Sequence, residues 1–221
     1  MRNFKYLTVS RNNLIAFKTK KQMVLPIVVY GDPVLRKKCV DIDANYENLQ
    51  DLIKNMYETM YEANGVGLAA PQIGKAIRLF VIDASPFAEV DEDDEPEFSA
   101  EEMKQMEGFK KTFINAQILE ETGEEWKFNE GCLSIPKIRE DVLRKPNLTI
   151  EYLDENFKKH KETYDGVIAR VIQHEYDHIE GVLFTDKINP FKRKLISGKL
   201  TDISKGKFRA DYKTRVFQPK R

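Results

Sequence analysis

The chain has 221 residues, enough for one domain with a sizeable core, and its 36 Lys and Arg balance 36 Asp and Glu. A net charge of zero excludes a global field that draws the protein to DNA, and no run nears the roughly 18 apolar residues that suggest a membrane span. Two cysteines, Cys39 and Cys132, are too few for a secreted disulfide scaffold, so a reducing cytoplasm is the expected compartment, with a Cys39–Cys132 bridge as the alternative.

Residues 1–22 hold six basic residues and no acid, without a sustained apolar period. They read as a basic tail, or as a start placed too early with Met23 the true one. Residues 23–221 read as a single domain. Leu25–Tyr30 is a short extended segment closed by Gly31–Asp32 before Pro33. Leu49, Leu52, Ile53, Met56, Tyr57 and Met60 recur at helical spacing and predict a helix over about Tyr46–Ala63, stopped by Asn64–Gly65. Ile77–Ile82, Thr112–Leu119 and Leu148–Leu153 read as strands. Between the first two lies an acidic insert at about 86–107; Glu89 to Glu102 holds nine carboxylates and no base, which predicts a solvated loop. The spacing of a calcium loop, with its central Gly, is missing. Gly166–Ile179 is a second helix, with Val167, Ile168, Val171 and Ile172 on its buried side and Gly181 placed to end it. From Lys187 to the end, twelve Lys or Arg face two acids, which suggests either a solvated helix and tail or docking on ribosomal RNA.

The strongest local signal is His174-Glu175-Tyr176-Asp177-His178. Residues four apart share one helix face, so both imidazoles can reach one metal ion, and Glu175 can handle protons beside it. A metzincin would carry a third histidine at 184, where this chain has Phe. His160 sits among lysines and reads as an exposed loop residue; Glu180 is the last Glu, and Asp186 and Asp202 have no motif around them. The soft ligand left over is Cys132, in Glu130-Gly131-Cys132-Leu133-Ser134-Ile135-Pro136. Three protein ligands leave one position open, as in catalytic centres; structural ones are closed by four.

Three segments resemble, in order, the three motifs of peptide deformylases: Gly65-Val66-Gly67-Leu68-Ala69-Ala70-Pro71-Gln72, Glu130-Gly131-Cys132-Leu133-Ser134, and Gln173-His174-Glu175-Tyr176-Asp177-His178. The resemblance runs from about Met23 to Leu200 and looks like the bacterial type; residues 1–22 and the acidic insert depart from the minimal pattern. It implies an α+β fold, with antiparallel or mixed sheets around the central helix that bears His174 and His178, plus a C-terminal helix. The Ile77–Ile82 and Leu148–Leu153 strands are expected near the site. The implied activity is hydrolysis of the formyl group from the N-terminal methionine of new polypeptides, releasing formate.

The same resemblance implies Cys132, His174 and His178 as ligands of one divalent metal, Fe2+ foremost, with Zn2+, Ni2+ or Co2+ as substitutes. Such an ion lowers the pKa of water from near 16 toward about 7. Glu175 is the implied general base and then acid. Gln72, through its amide, and Leu133, through its backbone N–H, are the implied oxyanion donors. Gly65 and Gly67 lack a Cβ and let the chain turn and approach a peptide backbone closely. Val66, Val167 and Val171, with the aliphatic stem of Arg170, are the expected walls of a methionine pocket. N-formylmethionyl nascent peptides are the expected partners, with the ribosome as a docking surface. Two rivals remain: a zinc endopeptidase, which needs neither Cys132 nor Gln72, and a non-catalytic binding module on the same fold.

Overall fold

The computed structural model describes residues 23–88 and 98–219. The basic segment 1–22 and positions 89–97 of the acidic insert lie outside the described residues. Strand β1 (Ile27–Val28) is followed by a tight turn in which Asp32 accepts from the Val34 N–H at 2.9 Å. Helix α1 (Leu49–Glu62) buries Leu49, Leu52, Ile53, Met56 and Met60, the spacing of one helical face. It starts later than the predicted Tyr46 because Asn48 holds a left-handed φ of 56°. Asn64, with φ 53°, ends it: its N–H reaches the Tyr61 carbonyl and the Gly65 N–H the Met60 carbonyl, both at 2.9 Å. This paired pattern satisfies two of the last helical carbonyls.

Strands β2 (Gly67–Ala69) and β3 (Leu79–Asp83) come next. Part of the acidic stretch is not a loop, contrary to the sequence reading. Ala100–Met106 forms helix α2, where the Ser99 hydroxyl accepts from the Glu102 N–H and the Glu102 carboxylate from the Ser99 N–H. The charge run concealed an apolar side: Met106 is buried, and Phe98 and Met103 pack against the core.

Strand β4 (Lys110–Thr122), the hairpin β5 (Trp126–Cys132) and β6 (Ile135–Arg144), then β7 (Asn147–Leu153) and β8 (Lys159–Tyr164) follow. Five strands make an antiparallel sheet in the order β2-β3-β4-β7-β8. The helices are α3 (Gly166–Ile179), α4 (Phe184–Lys187) and α5 (Pro190–Ser204), and β9 (Thr214–Arg215) returns to pair in parallel with β1. His160, predicted in a loop, lies in β8 opposite Tyr152 and bonds Asp154 at 2.8 Å, so strand pairing and one carboxylate occupy it.

β3 explains the layering. Phe80 and Ile82 pack with Ile168, Ile172 and Ile179 of α3, while Leu79 and Val81 pack with Met56 and Met60 of α1. A strand covered on both faces reads as a continuous apolar run. A third cluster joins Ile135, Ile138 and Val142 of β6 to Ile196, Leu200 and Ile203 of α5. The fold is α+β, with α3 between the sheet and the β5–β6 hairpin. Among the described residues no helix is long and apolar enough to cross a membrane.

Candidate metal centre

Helix α3 is buried nearly all round, and it ends where predicted: Gly181 adopts φ 75° and the Val182 N–H reaches the Asp177 carbonyl at 2.9 Å. His174 and His178 stand one turn apart with ring centroids 5.1 Å from each other. Cys132 meets them from the end of β5, where a register shift between Gly131 and Cys132 turns the strand. Its Sγ lies 3.2 Å from Nε2 of His178. One donor atom from each of Cys132, His174 and His178 falls within 4.8 Å of the other two, the convergence that a single ion requires. Both cysteines are free, which excludes the Cys39–Cys132 bridge.

The surroundings fit a cation. Nδ1 of His174 bonds Oε2 of Glu130 at 2.9 Å, which leaves Nε2 as the ring's lone-pair nitrogen. Glu130 is 4% exposed and accepts three further bonds, from Nε and Nη2 of Arg144 at 2.7 and 2.9 Å and from Nη1 of Arg170 at 3.1 Å. Burial pushes its carboxyl up, but the His174 and Arg144 bonds outweigh this and hold it well below the usual carboxylate range. Arg144 also bonds Asp177 at 2.6 Å, so the network ties the hairpin to α3. Burial holds His178 well below its ordinary value, which favours the neutral imidazole that can ligate.

Glu175 is 4% exposed, and its Oε2 has no hydrogen-bond partner. Burial raises its carboxyl to about 7, in the range suited to taking up and releasing protons at neutral pH. The reason for Gly67 differs from the predicted turn: a Cβ there would come within 2.8 Å of Cγ and Cδ of Glu175. A Cβ on Gly65 would meet Cδ1 of Leu133 at 2.8 Å.

Gln72 is 1% exposed, which overturns the surface-amide alternative. The Ala69 N–H donates to its Oε1 at 2.8 Å, so its amide nitrogen is turned towards Ser134 Oγ at 3.3 Å and Cys132 Sγ at 3.6 Å. A cleft of about 390 Å³ opens on Gln72, Cys132, Leu133, His174 and Glu175, flanked by Gly65, Val66 and Gly67. Arg170 and Val171 lie on its wall. Val167 does not: it is packed in the core beneath, since its place on α3 faces the sheet cluster. The Arg170 guanidinium turns away to bond Glu130 and the Trp126 carbonyl and lies 4.6 Å from the Trp126 ring. The β3 and β7 strands support α3 and do not line the cleft; β5 does.

Three contributors carried no assigned role in the sequence reading. Glu130 was visible only as the first letter of its motif. Arg144 and Tyr212 sit in no motif, and only the fold brings Arg144 to Glu130 and the Tyr212 hydroxyl to the Leu133 carbonyl.

A Cys-His₂ constellation, half-buried at Cys132 and His174 and buried at His178, with an adjacent carboxylate of raised pKa at the floor of a cleft, defines the class of single-metal hydrolases. The family model described as polypeptide deformylase matches residues 24–194. A peptide deformylase of Flavobacterium psychrophilum is 62% identical over 90% of this chain and 100% of its own length. One of Christiangramia forsetii is 61% identical over 87% of this chain and 96% of its own length. Among solved structures, a peptide deformylase of Legionella pneumophila is similar with TM-score 0.68 and 35% identity, covering 83% of this chain and 96% of that one. That of Thermotoga maritima gives 0.63 and 37%, covering 76% and 99%. The chain belongs to the polypeptide deformylase family, metal-dependent enzymes that remove the N-formyl group from nascent polypeptides.

Proposed function

We propose that Cys132, His174 and His178 hold one ferrous ion, with Zn2+, Ni2+ or Co2+ able to replace it. The mixed thiolate and imidazole set supports this choice, since it suits these metals and not Mg2+ or Ca2+. When bound, such a cation supplies Lewis acidity, making hydroxide available near neutral pH. The chain's own residues do the rest. Glu175 accepts a proton from the attacking water and returns it to the leaving amine. The Gln72 amide, held by Ala69 at its other end, and the Leu133 N–H donate to the oxyanion that develops on the formyl oxygen. Glu130 holds His174 in the tautomer that ligates. The walls at Val66, Val171 and the Arg170 stem receive the methionine side chain.

The observation that carries this reading is the convergence of three donor atoms beside an unpartnered, buried carboxylate. Glu175→Gln tests it: deformylation of formyl-Met-Ala-Ser falls by about 10²-fold or more with one metal per chain retained. Full activity in that variant contradicts it. A zinc endopeptidase leaves Cys132 and Gln72 without a role.

We also infer a cytoplasmic enzyme that docks near emerging chains. Support comes from α5, where Lys194 is exposed on the side away from buried Ile196 and Leu200, and Lys199 is exposed at the flank of that buried face. Lys194→Glu with Lys199→Glu then weakens co-sedimentation with ribosomes at low salt; unchanged binding contradicts the docking.

A further inference from the structure

The family match ends at residue 194, within α5, yet the chain returns to the cleft: Arg209, Ala210, Asp211 and Tyr212 line one side of it. The Tyr212 hydroxyl donates to the Leu133 carbonyl at 2.7 Å, and Tyr212 and Leu133 both pack against the cluster around α1. Burial raises the Tyr212 hydroxyl above its ordinary value, so it stays a donor.

The strand that follows fixes this placement. The Ile27 N–H reaches the Lys213 carbonyl at 2.8 Å and the Val29 N–H the Arg215 carbonyl at 3.2 Å. From the end of that same segment the Tyr30 N–H reaches the Ser134 carbonyl at 2.8 Å. Two successive carbonyls of the Leu133–Ser134 turn are thus held from outside the hairpin. The Arg215 guanidinium lies against Gly74, which closes the short turn carrying Gln72; Nη1 is 3.3 Å from where a Cβ on Gly74 would be.

We infer that residues 209–215 are a working part of the active site, with Tyr212 as a positioning residue that sets the direction of the Leu133 N–H. Tyr212 touches no reacting atom. It restrains Leu133 through the carbonyl, while Cys132 is restrained on the other side as a metal ligand, so the peptide between them has little freedom to turn. A donor to a developing oxyanion works only when it is aimed before the charge appears. The inference rests on Leu133 being such a donor.

The test is steady-state kinetics of the full-length, metal-loaded Tyr212→Phe variant on formyl-Met-Ala-Ser, with Gln72→Leu alongside. Phe keeps the ring packing and removes only the hydroxyl. The expected result is a kcat about tenfold lower, with KM within about twofold, because the loss falls on the transition state. Metal content stays at one per chain and the melting temperature moves little. Wild-type kcat in Tyr212→Phe overturns the inference, as does a fall that tracks loss of metal or of folded protein. If Gln72→Leu is slow while Tyr212→Phe is not, the positioning role alone fails. If Gln72→Leu runs at full rate, the oxyanion reading fails and takes this inference with it.

Discussion

The carboxylate arm of Glu175 lies in the space that a Cβ on Gly67 would fill, with Cγ and Cδ each 2.8 Å from that position. β2 is an edge strand, and its missing side chain lets α3 bring Glu175 up to the cleft. Gly67→Ala forces either strand or carboxylate to move. Deformylation should fall by about 10²-fold, the contribution of a positioned acid–base group, while the metal stays bound. Kinetics together with metal analysis check this, and an unimpaired variant would remove Gly67 from the account.

Glu130 is the hub of a buried network of four donor atoms, from His174, Arg144 and Arg170. Glu130→Gln keeps its shape but leaves two buried guanidinium groups without their shared carboxylate. Breaking such a pair costs about 3–5 kcal/mol of stability. Metal affinity should also drop by about 10–100-fold as His174 loses its orienting bond. Urea denaturation and competitive metal titration separate the two effects, and an unchanged metal affinity speaks against the orienting role.

Far from the cleft, Glu162 accepts from Lys111 at 2.8 Å and from Tyr152 at 2.6 Å, and also from Tyr164. Burial pushes its carboxyl up, but these donors outweigh it and bring it from 4.5 to about 2. Its stabilising contribution is therefore complete above pH 4.5 and is lost as pH falls toward about 2. Its side chain is 32% exposed, so solvent screens part of the effect. Glu162→Gln should flatten the acid limb of the stability curve in that window and leave deformylation at neutral pH unchanged. An acid limb of unaltered slope counts against the assignment.

The pocket can be probed by filling it. Val171 lies on the cleft wall, so Val171→Phe should raise KM for formyl-methionyl peptides by about tenfold, with a smaller change in kcat. The same change at Val167, which sits in the core, should appear as lost stability of about 1–3 kcal/mol. The reverse pattern would exchange their roles.

Much of the site was legible because its chemistry is local. His174 and His178 share a helix face by spacing alone, and Gly181 closes that helix as read. Apolar periodicity gave α1, and the apolar run Leu79–Ile82 within the predicted Ile77–Ile82 gave most of β3. The hairpin was missed: Ile135, Ile138 and Val142 recur at three and four residues, a helical spacing, because Lys137 adopts φ 61° and breaks the alternation of β6. β8 was hidden since its residues are half exposed and charged. β4 is longer than predicted and bulged, with Asn115 at φ 51° spending its side chain on the backbone of Ile42. Glu130 with Arg144, and Leu133 with Tyr212, are long-range pairs that no local pattern encodes.

The ligand set of the native metal is the decisive quantity. X-ray absorption at the metal edge of anaerobically purified protein should give one iron per chain, with one sulfur and two imidazole nitrogens from the protein. An ion without a sulfur ligand, or one closed off by four protein groups, would contradict the account.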